Sequence, residues 1–176
     1  SPDEITNLKS QDIAASISVK KSGLPVEIGS SVKMSKSKKN VVDPIDIIEQ
    51  YGADTARWFV MSDSPPDRDV EWTEAGIEGA WRHIQKVWKI AKDIIIQDLN
   101  SIRLNKKEEQ KSVEELEKAI NLAVKGVTTG IEEFAFNKAI AKLYEFTNFL
   151  SKSSAPKENK INALEVLAIL MQPMTP

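Results

Sequence analysis

Apolar residues recur at steps of three and four through most of the chain, and that period sets the fold class before any motif is considered. Between Thr73 and Gln97 they are Ile77, Ala80, Trp81, Ile84, Val87, Trp88 and Ala91. Between Ser112 and Gly130 they are Val113, Leu116, Ile120, Ala123 and Val127. Phe136, Ile140, Leu143, Tyr144 and Phe149 continue the pattern over 134–150, and a fourth run covers 162–171. A helix turns once in about 3.6 residues, so this spacing lines one helix face with apolar side chains. Such a stripe is stable only when buried against another, and short connections make neighbours antiparallel. The spacing predicts an antiparallel helical bundle over 73–176, broken by a charged linker at 99–111 and a polar, proline-containing stretch at 151–159.

Residues 1–72 read differently. Small and β-branched residues from Ile13 to Ile28 flank Lys21-Ser22-Gly23-Leu24-Pro25, which predicts strand, turn, strand. A polar loop from Gly29 to Asn40 carries Lys33, Lys36, Lys38 and Lys39 in its second half. Asp43-Pro44 is a helix start, with aspartate as N-cap and proline at the first helical position. Ile45, Ile47, Ile48 and Tyr51 then give a short helix ending at Gly52. A second short helix covers 53–62, and Ser64-Pro65-Pro66-Asp67 breaks it. The expected fold is mainly α: a small α/β segment (β-hairpin, lysine loop, two short helices) followed by the bundle.

Composition excludes several functions. The formal net charge of -2 does not hold nucleic acid by bulk attraction, so any RNA contact needs local clusters. The absence of cysteine excludes disulfides and thiolate metal sites. The single histidine, His83, excludes multi-histidine metal sites, so no metal site is expected. No apolar run approaches the roughly 20 residues of a membrane span, and Ser1-Pro2-Asp3-Glu4 is no signal peptide. A cytoplasmic protein with no membrane partner is expected. Both ends read as cut from a longer chain, since no methionine opens it and it stops just after an apolar run.

The chemistry concentrates in Lys33-Met34-Ser35-Lys36-Ser37. A loop rich in lysine and serine presents ammonium groups and hydroxyls on adaptable backbone. It can close on a polyanion, each lysine acting as a point charge on a phosphate. Phosphoryl and nucleotidyl transfer need positive charge aimed at the oxygens where negative charge accumulates. The plain alternative is a solvated basic loop with no specific task.

The neighbouring residues decide between these. Lys33-Met34-Ser35-Lys36-Ser37-Lys38-Lys39-Asn40-Val41-Val42-Asp43-Pro44 resembles the second signature of class I aminoacyl-tRNA synthetases, identical over its KMSKS core. Tyr51-Gly52-Ala53-Asp54-Thr55-Ala56-Arg57 resembles that family's YGAD-x-x-R element at the family's spacing. Ser64-Pro65-Pro66-Asp67-Arg68-Asp69-Val70-Glu71-Trp72, leading into Gly76-Ile77-Glu78-Gly79-Ala80-Trp81-Arg82, is similar to the bacterial leucine enzymes. So are Phe136-Asn137-Lys138-Ala139-Ile140-Ala141 and the terminal Pro173-Met174-Thr175-Pro176.

The resemblance implies a piece of a leucine–tRNA ligase. Residues 1–72 would end the catalytic domain and its connector, and 73–176 would be the helical anticodon-binding bundle. The family activates an amino acid with ATP and Mg2+ and passes it to tRNA, here leucine and tRNA(Leu). By that resemblance Lys33 and Lys36 are catalytic and touch the triphosphate, with the larger role at Lys36. Ser35 and Ser37 bind phosphate or shape the loop, and Met34 packs near adenine. Lys118, Lys125, Lys138, Lys142 and Lys152 are candidate tRNA contacts, although glutamates alternate with them. The family's HIGH tetrapeptide is absent from the chain, so the 176 residues alone are expected to be inactive. A monomer is expected. The competing readings are a valine or isoleucine enzyme, and a tRNA-binding module without catalysis.

Six residues have structural expectations. Trp81 and Trp88 are read as a core stripe, and His83 as a surface or boundary residue. Asp54 and Arg57 are spaced to pair on their helix and to brace the KMSKS region. Trp72 is expected to pack the connector.

Overall fold

The computed structural model describes residues 32–96 and 105–176. The chain divides into two compact units, Ser1–Val41 and Val42–Pro176. The expected hairpin at 13–28 lies outside the described residues, as does most of the first half of the expected linker. The described residues are mainly helical and contain no strand.

The second unit holds six helices among the described residues: α1 Pro44–Tyr51, α2 Ala53–Asp63, α3 Glu74–Ile96, α4 Lys106–Glu132, α5 Phe136–Leu150 and α6 Lys157–Met171. α1 starts where its cap chemistry predicts. Asp43 Oδ1 accepts from the Ile45 amide at 2.9 Å, and Pro44 takes the first turn. Gly52 sits at φ 86, a conformation glycine adopts without a Cβ penalty, and it turns α1 sharply into α2.

The linker expectation is corrected at its second half: residues 106–111 are helical. Asn105 and Glu108 form a capping box. The Asn105 side chain accepts from the Glu108 amide at 2.9 Å, and the Glu108 carboxylate accepts from the Asn105 amide at 3.3 Å. The reciprocal bonds satisfy two donors that a helix start leaves free. Charge without apolar period hid this turn, while the Asn-x-x-Glu spacing was its signal. α6 likewise begins earlier than its apolar run, at Lys157 directly after Pro156.

α5 is the hub and packs on α2, α3, α4 and α6. Its contact with α4 is antiparallel: Gly130 lies against Ala139, and Gly126 against the Lys142 stem. A Cβ placed on Gly130 would stand 2.8 Å from the Ala139 Cβ and 3.0 Å from its backbone nitrogen. The missing side chain lets the two backbones approach. Leu116, Ala123 and Val127 of α4 fill the core beside Ile140, Leu143, Phe146 and Leu150 of α5. Ala163, Leu167 and Met171 of α6 close it from a third side.

The expected stripe on α3 is corrected. Trp81 is 39% exposed and Trp88 71% exposed, while Ile77, Ala80, His83, Ile90 and Ile94 are buried. Period alone leaves the buried face free to rotate by a residue, and packing on α2, α5 and α6 chose the His83 side. The His83 expectation fails with it, because the ring is only 5% exposed. Its centroid lies 4.8 Å from Trp58 in a stack and 4.1 Å from Tyr144. Trp58 Nε1 donates to the Tyr144 hydroxyl at 3.0 Å. The three rings join α2, α3 and α5. Trp72 does pack as expected, edge-on to Phe59 at 5.2 Å.

Burial, with the nearby Lys86 charge adding to it, lowers the His83 pKa from 6.5 to about 4. The folded state therefore holds a neutral imidazole, while the unfolded chain takes up a proton below pH 6.5. Stability from this group is full above pH 6.5 and is lost as pH falls toward 4. The loss approaches about 3 kcal/mol by linkage. Urea titrations at pH 7 and pH 5 are expected to show it, and His83→Phe, which keeps a ring but not the proton, is expected to flatten the difference. Gly130→Ala tests the α4–α5 contact. The clash with Ala139 outweighs the gain of about 1 kcal/mol in helix propensity, and a net loss of about 1–2 kcal/mol is expected in the same titration.

Candidate functional site

In the first unit the described residues are the lysine loop itself. Ser35 is extended, at φ -154, and caps a 3-10 turn over Lys36–Lys38. Its Oγ accepts from the Lys38 amide at 3.3 Å and lies 3.2 Å from the Ser37 Oγ. Lys39 then takes a left-handed conformation, φ 53, and its amide donates to the Lys36 carbonyl at 3.2 Å. Asn40 closes the loop. Its Oδ1 accepts from the Ser35 amide at 2.8 Å, and its Nδ2 donates to the Lys33 carbonyl at 3.4 Å.

This arrangement separates two tasks. Backbone groups, the Ser35 hydroxyl and the Asn40 side chain are spent on shaping the loop. The side chains of Lys33, Met34, Lys36, Ser37, Lys38 and Lys39 are exposed, and Ser35 is half-buried. Among the described residues none of the four lysines has an ion-pair partner. Four ammonium groups within seven residues repel one another, and no acid stands between Val32 and Val42. A polyanion bound there gains attraction and relieves repulsion together. Asn40 carries no charge for the motif's phosphate chemistry; its signal in sequence is that an Asn side chain can bond backbone on either side.

The YGAD-x-x-R element shapes the second unit at the α1–α2 corner. Tyr51 packs partly against the core and Gly52 makes the turn. The Thr55 hydroxyl, in a residue 2% exposed, donates to the Tyr51 carbonyl at 2.8 Å. Arg57 does not pair with Asp54. Its Nε donates to the Met174 carbonyl at 2.9 Å, and an Nη donates to the Pro173 carbonyl at 3.0 Å. Two motifs far apart in sequence therefore meet.

Of the lysines proposed to meet RNA, Lys118 and Lys125 stand seven apart and exposed on α4, two helical turns along one face. Lys138 is exposed on α5, and Lys152 follows its end. Lys142 is already engaged, its Nζ 2.8 Å from Glu145 Oε2. Both side chains are exposed, and an exposed pair of this kind is weak. Among the described residues no group of three or more His, Asp or Glu could hold a metal ion, and no helix is long and apolar enough to cross a membrane.

The profile of the family described as tRNA synthetases class I (I, L, M and V) matches residues 21–73, the part that carries the loop and the YGAD corner. That match spans four amino-acid specificities. The leucine–tRNA ligase of Dinoroseobacter shibae is 55% identical over 158 residues, 90% of this chain and 18% of that protein. The leucine–tRNA ligase of Cereibacter sphaeroides strain KD131 is 51% identical over 177 residues, 99% of this chain. The chain corresponds to one segment of the leucine–tRNA ligases. It spans about a fifth of the length of these relatives. A crystal structure of the ternary complex of Agrobacterium radiobacter K84 agnB2 LeuRS-tRNA-LeuAMS superposes at a TM-score of 0.72 and 26% identity. It covers 82% of this chain and 19% of that one. The leucine-ligase resemblance in the Ser64–Trp72 run and the Phe136–Ala141 helix thus agrees with whole-chain similarity.

Loss of Asn40 is expected to loosen the loop without unfolding the second unit. In Asn40→Ala, hydrogen exchange at the Ser35 amide should accelerate about fivefold, as for the loss of one hydrogen bond of roughly 1 kcal/mol. Amide exchange followed by NMR reads it, with the helices of the second unit as internal reference.

Proposed function

We propose that this chain is the part of a leucine–tRNA ligase that grips the ATP triphosphate through its KMSKS loop and offers a helical surface to tRNA(Leu). The observation that carries the reading is the loop itself: exposed lysines on a backbone closed by Asn40, in a chain of this family. The reaction is nucleotidyl transfer. A leucine carboxylate oxygen attacks the α-phosphate of ATP, the bond to the β-phosphate breaks, and pyrophosphate leaves with its electron pair. A hydroxyl at the 3′ end of tRNA then attacks the leucyl carbonyl, the bond to the adenylate oxygen breaks, and AMP leaves.

Negative charge grows on the phosphate oxygens as pyrophosphate departs. Lys33 and Lys36 supply positive charge there, with Lys36 carrying more of the transition-state stabilisation. Ser35 holds the turn through its bond from the Lys38 amide, and the Ser37 hydroxyl is available to phosphate. Met34 is exposed on the loop, where it packs near adenine in this reading. Mg2+ enters with ATP as part of the substrate and neutralises phosphate charge when bound. The residues before Thr73 act as the end of the catalytic domain, and the bundle after it is the anticodon-binding domain. The neighbour's complex with tRNA supports a bundle that meets RNA. Lys118, Lys125, Lys138 and Lys142 are the contacts we propose for phosphates, and their binding weakens with salt. The reading includes a monomeric enzyme in the cytoplasm.

Leucine-dependent ATP–pyrophosphate exchange tests this in a full-length ligase carrying the segment. Exchange is expected with leucine and not with isoleucine, valine or methionine. Lys36→Ala is expected to lower kcat by on the order of 10²–10³, the scale of one lost transition-state donor. The isolated 176 residues are expected to give none. Exchange with another amino acid would overturn the specificity, and full activity in Lys36→Ala would overturn the role of the loop.

A further inference from the structure

Asn40 stands in for a neighbouring strand beside the residues that open the lysine loop. Its Oδ1 accepts from the Ser35 amide at 2.8 Å, and its Nδ2 donates to the Lys33 carbonyl at 3.4 Å. On extended backbone the carbonyl of one residue and the amide two residues later point to the same side. A carboxamide carries an acceptor and a donor side by side, so one asparagine serves both. Ser35 is extended, at φ -154 and ψ 146. The two bonds bracket Met34 and hold the stretch from Lys33 to Ser35 in one shape.

Ser35 is also the residue from which the turn leaves. Its carbonyl accepts from the Lys38 amide at 3.1 Å, and its Oγ accepts from the same amide at 3.3 Å. Lys36 is the first residue of that turn. By fixing Ser35 from one side, Asn40 sets the direction in which Lys36 departs. By holding the Lys33 carbonyl, it fixes the backbone that carries Lys33. All of these groups lie within the first unit. The bonds oppose a real force, because the ammonium groups of Lys33, Lys36, Lys38 and Lys39 repel one another and favour an opened loop. Asn40 opposes it without charge. A carboxylate at the same place would compete with a polyphosphate for the lysines.

We propose that Asn40 is a positioning residue for nucleotidyl transfer. By pairing with the Lys33 carbonyl and the Ser35 amide, it keeps the loop in the shape that presents Lys33 and Lys36 together. A loop shaped in advance loses less freedom when its lysines take hold of phosphate. The inference rests on the reading of the loop as the phosphate grip. Asn40 touches no substrate in this scheme and acts only through the two lysines.

The test compares wild type, Lys36→Ala, Asn40→Leu and the double variant of a full-length ligase, read by leucine-dependent ATP–pyrophosphate exchange. Leucine is close to asparagine in shape and bonds to neither backbone group. Asn40→Leu is expected to lower kcat about tenfold with KM for leucine unchanged, since misplaced charge costs rate rather than leucine affinity. In the Lys36→Ala background the same change should cost less than about threefold, because much of its route of action is already gone. Asn40→Asp keeps the acceptor but sets a negative charge among the lysines, and it is expected to raise KM for ATP about fivefold. A merely structural weakening would lower both backgrounds by the same factor, and that result overturns the proposal. So does a kcat for Asn40→Leu within about twofold of wild type, or an Asn40→Asp ligase with wild-type kinetics. If Asn40→Leu yields no soluble protein, Asn40→Ser takes its place in the same comparison. Full exchange in Lys36→Ala, or none in the wild type, overturns the reading of the loop and this inference with it. Failure confined to the Asn40 comparison overturns this inference alone.

Discussion

The junction of Trp58, His83 and Tyr144 is the contact on which the second unit depends. It brings α2, α3 and α5 to one point and buries Trp58 completely. An indole N–H in a dry interior needs an acceptor, and the Tyr144 hydroxyl provides it. His83 fills the remaining face and stays neutral there because burial disfavours its charge. The two short helices after the lysine loop are thereby part of the same packed body as the long helices. That continuity gives Arg57 something rigid to lean on.

The lysine loop obeys a different rule. It has no buried side chain of its own, and its shape comes from polar bonds among Ser35, Lys38 and Asn40. Local hydrogen bonds of this kind cost little to remake. The packed unit beyond Val42 has no such freedom.

Motif residues found in the sequence acquire separate physical jobs in the fold. In the YGAD-x-x-R element, Gly52 supplies a positive φ and Arg57 ties down two carbonyls. In the Phe136–Ala141 stretch, Ala139 is small because the Gly130 backbone presses on it. A Cβ on Gly79 of the Gly76–Arg82 run would meet only an Arg82 Nη at 3.9 Å, whereas Gly76 sits against Phe59 and Thr73. A motif is thus a set of local packing and bonding demands.

Sequence alone determined the helical class, the start of α1 at Asp43-Pro44 and the break at Ser64-Pro65. It also marked out the lysine loop and the family. Those features depend on periodicity, fixed proline geometry, capping side chains and contiguous motifs, all of which act within a few residues. Tertiary structure alone decided which face of α3 is buried, sending Trp88 to the surface and His83 to the core. It also chose the partner of Arg57, and it paired Lys142 with Glu145 among several candidate acids. The reason is distance along the chain. A stripe of apolar residues gives a helix a buried side only to within about a residue, and the partners that settle it, such as Tyr144 for His83 or Met174 for Arg57, are brought near only by folding.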